Sequence, residues 1–165
     1  TFLSLLAGLD TPVSGHILCS REEIQKKRLN YHRSHNISLV FQNYNLIDYL
    51  TVTENVKLGG RKNAEELLSE VGIPKEAWKR NVCQLSGGQQ QRVAIARALC
   101  SEAKVLLADE PTGNLDEETA EGIIGLLKKT AHELGKCVVV VTHSRRLAEE
   151  ADEILELKEG RLKIR

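Results

Sequence analysis

The sequence has no methionine among its 165 residues, and it begins at Thr1 in the middle of an apolar helical pattern. Both features read as an incomplete sequence. No apolar run approaches the ~20 residues that cross a bilayer, so direct membrane insertion is not expected. Residues 2–9 are too short and lack the basic flank of a secretory signal. There is no excess of charge, since 23 basic residues face 23 acidic ones. No global field therefore draws in nucleic acid or an anionic membrane. The four cysteines, Cys19, Cys83, Cys100 and Cys137, include no close pair, and Cys100 and Cys137 sit inside apolar runs. Buried, reduced thiols in a cytosolic chain are expected rather than a zinc site. No linker divides the chain, and its length suits one domain with one core.

Residues 2–9 carry leucines at helical spacing before Asp10, Pro12 and Gly15 turn the chain. The basic stretch 21–33 reads equally as a short helix or a charged loop. "ISLVF" at 37–41 reads as a strand, and Thr53 as the cap of a short helix over 54–58. A helix at 64–71 presents Leu67, Leu68 and Val71, and Trp78 reads as a local packing anchor. A helix at 92–99, a buried strand at 105–108 and a long helix at 117–134 with Ile123, Ile124, Leu127, Ala131 and Leu134 inward come next. "CVVVVT" at 137–142 is a strand, Ser144 caps a helix over 145–151, and two short strands close the chain around Glu159 and Gly160. Continuous apolar strands alternating with helices predict a mostly parallel sheet covered on both faces.

Ligands of such sheets gather at the carboxyl ends of the strands. Gln42, Asp109, Glu110 and His143 each follow a predicted strand and so share one rim. A strand-end Asp suits magnesium, which prefers oxygen ligands and keeps part of its water shell, and a neighbouring Glu can polarise a water. Taken singly, the two acids also fit the start of a surface loop, and His143 an ordinary polar residue past a strand. Together the four suit phosphoryl transfer, where positioning and charge stabilisation dominate.

"QLSGGQQQRVAIARAL" at 84–99 sets two glycines and three glutamines ahead of a helix, although glycine is a poor helix former and the three amides bury nothing. Helix N-termini expose unpaired N–H groups, and residues without bulk let a phosphate approach them. Ser86, Gly87 and Gly88 thus read as an anion receptor. The alternative, a glycine turn capping a core helix, explains Ser86 and leaves the second glycine without a role.

These pieces, in this order, resemble the ATPase subunit, or nucleotide-binding domain, of ABC transporters. "LSGGQ" at 85–89 matches the signature motif and "VLLADE" at 105–110 the Walker B strand with its catalytic glutamate. "GNLD" at 113–116 matches the D-loop, "TH" at 142–143 the switch histidine, and "VFQ" at 40–42 the Q-loop. The resemblance covers essentially the whole chain and is greatest to the branch exporting lipoproteins, macrolides or antimicrobial peptides, which includes the cell-division ATPase. It implies a P-loop NTPase core of α/β class, with a helical subdomain at about 43–99 inside a single domain 1–165, and ATP and magnesium as cofactors. It assigns magnesium to Asp109 and Gln42, the general base to Glu110, and a contact to the terminal phosphate to His143. Gln42 would also sense that phosphate and link to the transmembrane partner. Ser86, Gly87 and Gly88, with Gln89 beside them, would cradle the phosphate of ATP bound to a second subunit. Asp116 would cross the interface of the resulting head-to-tail dimer. Transmembrane permease subunits are the implied partners, and the cytoplasmic face of a bacterial inner membrane the implied location.

The sequence departs from the family's pattern in one large respect. The glycine-rich phosphate loop with its lysine is absent from it, and so is the adenine-stacking aromatic residue upstream; Thr1 aligns just past that loop. A chain physically starting at Thr1 is expected to bind ATP poorly and to lack its first core strand, while the parent protein is expected to hydrolyse ATP. The span 43–84 is short for this branch, and "LGGRK" at 58–62 reads like a deletion. A chromosome-maintenance ATPase would place long coiled coils where only a few dozen residues stand, and the basic stretch 21–33 lacks the aromatic interleaving of a single-strand binder. The remaining alternative is an ATPase that regulates a membrane partner in cell division or signalling without transport.

Overall fold

A computed structural model describes residues 2–165; Thr1, expected directly after the phosphate loop, lies outside them. In chain order the elements are α1 (Phe2–Leu6), β1 (Leu18–Cys19), β2 (Glu22–Glu23), α2 (Leu29–Tyr31), β3 (Ile37–Val40), α3 (Val52–Lys57), α4 (Ala64–Glu70) and α5 (Gly87–Cys100). They continue with β4 (Val105–Asp109), α6 (Glu117–His132), β5 (Cys137–Val141), α7 (Arg145–Glu149), β6 (Leu155–Lys158) and β7 (Arg161–Ile164). The basic stretch is neither one helix nor one loop. It divides into β2, a 3-10 turn at Lys26–Arg28, α2 and a wider π turn at His32–Asn36.

β3, β4 and β5 form a parallel sheet in that order, with Val40 opposite Ala108 and Asp109 opposite Val141. Successive side chains of a strand point to opposite faces, and β4 obeys this closely. Leu106 and Ala108 join a large apolar cluster with α5 and α6, whereas Leu107 joins a smaller one with Leu3 and Ala7 from α1 and the turn after it. Both faces are thus covered, and the large cluster runs unbroken from β3 and β4 through α5 into α3 and α4. The β6–β7 hairpin turns through Glu159 and Gly160, both at positive φ. Its paired Leu155, Ile164, Leu157 and Leu162 all lie exposed.

Several local expectations are corrected. Thr51, not Thr53, caps α3: its hydroxyl accepts from the Glu54 N–H while the Glu54 carboxylate accepts from the Thr51 N–H, and the Thr53 hydroxyl donates instead to the Trp78 carbonyl. Leu134 is exposed, because α6 ends at His132 before the chain turns away. Cys137 and Cys83 are exposed and only Cys100 is buried. Apart from these corrections, Gly59 and Gly60 cross α5 closely: a Cβ on Gly59 would stand 1.8 Å from the Arg97 carbonyl oxygen, and one on Gly60 2.3 Å from that of Cys100. Trp78 is a packing anchor as expected, with its indole N–H donating to the Ile73 carbonyl at 2.9 Å. Thr51→Ala removes the hydroxyl that accepts from the Glu54 N–H, leaving only the bond from the Thr51 N–H to the Glu54 carboxylate, and is expected to cost about 1 kcal/mol, readable as a lower midpoint in urea with an unchanged slope.

Candidate functional site

The rim at the carboxyl ends of β3, β4 and β5 begins where the apolar strands run out. Glu110, the first residue after β4, has a φ of 44°, a left-handed conformation costing a non-glycine residue about 1–3 kcal/mol and kept only when its surroundings enforce it. They do so here. The Glu110 N–H donates to the Val141 carbonyl at 2.9 Å, and its own carbonyl accepts from the Gly113 N–H at 3.1 Å. Its Oε2 accepts from the Thr142 hydroxyl and from the His143 N–H, both at 3.2 Å. Oε1 is buried without a hydrogen-bond partner, and the His143 Nε2 lies 3.6 Å from it. The His143 side chain is 99% exposed and that of Glu110 only 16%. One oxygen of Glu110 thus orients the carboxylate while the other is free to accept, beside an imidazole open to any arriving ligand.

Gln42 follows β3 by two residues, and its side-chain amide lies against Gly113, where a Cβ would approach Nε2 to 3.3 Å. The Asn114 amide donates to the Gln42 carbonyl at 3.4 Å. Gln42, Glu110, His143 and the start of the 113–116 loop therefore meet on one rim. Asp109, the last residue of β4, is exposed at the same strand end.

In the segment 86–91 each polar side chain has its own partner or burial. α5 starts at Gly87, five residues earlier than the apolar pattern indicates, because Ser86 caps it. The Ser86 hydroxyl accepts from the Gln89 N–H, and the Gln89 side chain accepts from the Ser86 N–H. The Gln90 amide donates to the Leu85 carbonyl, and Gln91 is wholly buried. The three amides are thus not idle surface. Gly88 also has a structural role, since a Cβ there would stand 2.2 Å from the Thr119 Cγ2. Thr119 in turn is bound by Asp116, which caps α6 by accepting from the Thr119 N–H at 2.9 Å and hydroxyl at 2.7 Å. These bonds hold the Asp116 carboxyl below the usual carboxylate range, the N–H contributing most. Among the described residues no hydrogen bond joins 86–89 to Asp109, Glu110 or His143.

Tyr44 and Arg97 carry no signal in the sequence, because they act through contacts far apart in the chain. Thr142, which holds Glu110, has a signal in its place beside His143.

A family model described as ABC transporter matches residues 1–113. An uncharacterized ABC transporter ATP-binding protein of Bacillus subtilis, YclH, is 41% identical over 100% of this chain and 77% of its own length. The lipoprotein-releasing system ATP-binding protein LolD of Legionella pneumophila is 42% identical over 100% of this chain and 78% of its own. Among solved structures, the dimeric post-hydrolysis state of the ATP-binding cassette MJ0796, bound to ADP and Pi, superimposes with a TM-score of 0.84 at 38% identity, covering 99% of this chain and 78% of that one. Its fold is that of the α/β P-loop NTPase core, and with these matches over most of its length the chain belongs to the ABC transporter family.

Proposed function

We infer that this chain is part of an ATP-binding and ATP-hydrolysing subunit that drives an ABC transporter. The observation that carries the reading is Glu110: a backbone held in a costly conformation by two main-chain hydrogen bonds, and a carboxylate oriented by two more, with its other, buried oxygen left to accept a proton. Glu110 acts as general base toward the water that attacks the terminal phosphate, with Thr142 and the His143 N–H holding it in place. His143 reaches the phosphate from its open side, and Gln42 lines the same rim.

Among the described residues no three His, Cys, Asp or Glu side chains gather into a metal cage. The rim offers oxygen donors instead, and these fit a magnesium that keeps several waters and takes phosphate oxygens as ligands. Asp109 and the Gln42 amide are the residues that would hold it. Magnesium, when bound, neutralises charge on the phosphates.

The neighbour structure is a dimer with ADP and Pi, which supports a head-to-tail dimer here. In it Ser86, Gly87 and Gly88, with Gln89 capping their helix, face the partner subunit's nucleotide, and Asp116 lies at the interface. The helical subdomain comprises residues 43–99 and meets permease subunits at the cytoplasmic face of the membrane. No helix among the described residues is long and apolar enough to cross a membrane, which suits a peripheral subunit. The proposed cargo is a lipoprotein, peptide or drug-like substrate for export, and similarity to a lipoprotein-releasing ATPase supports the first of these.

The direct test is magnesium-dependent phosphate release from ATP by the full-length protein; no release above background overturns the reading. Ser86→Phe blocks the surface offered to the partner subunit and is expected to lower turnover at least about tenfold. ATP affinity of the monomer should be unchanged, and a parallel loss of that affinity counts against the role in trans.

A further inference from the structure

The turn that follows β3 is tied to both ends of α5. Tyr44 and Asn45 are successive non-glycine residues in the left-handed region, at φ 60° and 47°. Their carbonyls converge on one side chain: the Arg97 Nη2 donates to the Tyr44 carbonyl at 2.9 Å and Nη1 to that of Asn45 at 2.5 Å. Arg97 is half-buried in the C-terminal half of α5 and, among the described residues, forms no ion pair. Burial pushes its pKa below the ordinary guanidinium value, and the carbonyl dipoles of the turn compensate its charge.

The Tyr44 hydroxyl reaches the other end of the helix, where a Cβ on Gly87 would come within 2.9 Å of it. Ten residues of helix span ~15 Å. The forked side chain of Arg97, leaning toward the helix N-terminus as helical side chains do, and the length of the Tyr44 ring cover that distance together. Gln42, two residues before Tyr44, touches Gly113 at the rim.

The geometry points to Arg97 as a positioning residue whose guanidinium fork clamps the 43–46 turn onto α5, so that Gln42 at the rim and Ser86–Gly87 at the helix N-terminus are held in one register. A displacement of the rim is then carried to the signature motif through α5. This assignment rests on the nucleotide-contacting roles proposed above for Gln42 and Ser86. A lysine presents one point of charge and cannot hold two carbonyls in a fixed plane.

The test is hydrogen exchange of the full-length protein with Arg97→Lys, and with Arg97→Met, which keeps the stem and removes the buried charge, as a guard against a variant that does not fold. In either variant the Tyr44 and Asn45 amides are expected to exchange about tenfold faster, with the β4 amides within about twofold of wild type. Exchange at the turn within about threefold of wild type, or an equal rise in β4, overturns the clamp. In the same variants kcat is expected to fall about fivefold or more with KM for ATP within about twofold; a KM effect alone overturns the coupling to the site. A wild-type protein without ATPase activity sinks the functional reading, and the exchange data still decide the clamp.

Discussion

Glu110→Gln is expected to lower ATP turnover about 10²–10⁴-fold, the range supplied by a positioned general base. The substitution is nearly isosteric. Its amide oxygen can keep the bonds from the Thr142 hydroxyl and the His143 N–H, so the left-handed turn and the rim survive. What is lost is the proton-accepting oxygen that now lies unpartnered 3.6 Å from the His143 Nε2. Asp109 and Gln42 are untouched, so nucleotide and magnesium binding persist. A dimer that forms on adding nucleotide should then accumulate because its ATP is not consumed. Phosphate release measures the first effect and size-exclusion chromatography with ATP the second. A rate equal to wild type removes Glu110 from the role of base.

Gly59→Ala is expected to be strongly destabilising for so small a change. The new methyl carbon would stand 1.8 Å from the Arg97 carbonyl oxygen and 2.7 Å from its carbonyl carbon. Those atoms are helix backbone within α5 and cannot yield without disturbing that helix, so the segment after α3 must move away. Overpacking of this kind costs about 1–3 kcal/mol, and at this chain length each kcal/mol shifts Tm by roughly 2–4 °C. A fall of about 6–12 °C follows from the upper half of both ranges. The same change at Gly125 should act in the opposite direction, because nothing lies within 4 Å of its Cβ position and it is exposed within α6. There alanine adds roughly 0.5–1 kcal/mol of helix stability. Thermal unfolding of the two variants side by side separates a close crossing from a generic glycine effect. An unchanged Tm for Gly59→Ala would falsify the crossing.

Much of the molecule is legible in the sequence because its signals are local. β-branched and leucine-rich runs mark β3, β4 and β5, and the residues just past them mark the rim. Ser144 stands where a cap is expected and accepts from the Leu147 N–H as one should. Thr53 misleads because two threonines stand within reach of the start of α3, and only Thr51 has a glutamate three residues on. The start of α5 escapes the hydrophobic pattern, which begins later than the helix, because the first turn is held by Ser86 and Gln89 rather than by burial.

The sequence by itself determined the alternation of strands and helices, the chemistry offered at each strand end and membership of the family, since periodicity and motif spacing are properties of neighbours along the chain. Only the tertiary structure decided that Glu110 is held in a left-handed turn with one free oxygen, that Gly59 and Gly88 are required by packing, and that Arg97 grips the turn after β3. Each of these depends on atoms brought together from segments tens of residues apart, and no local pattern encodes that distance.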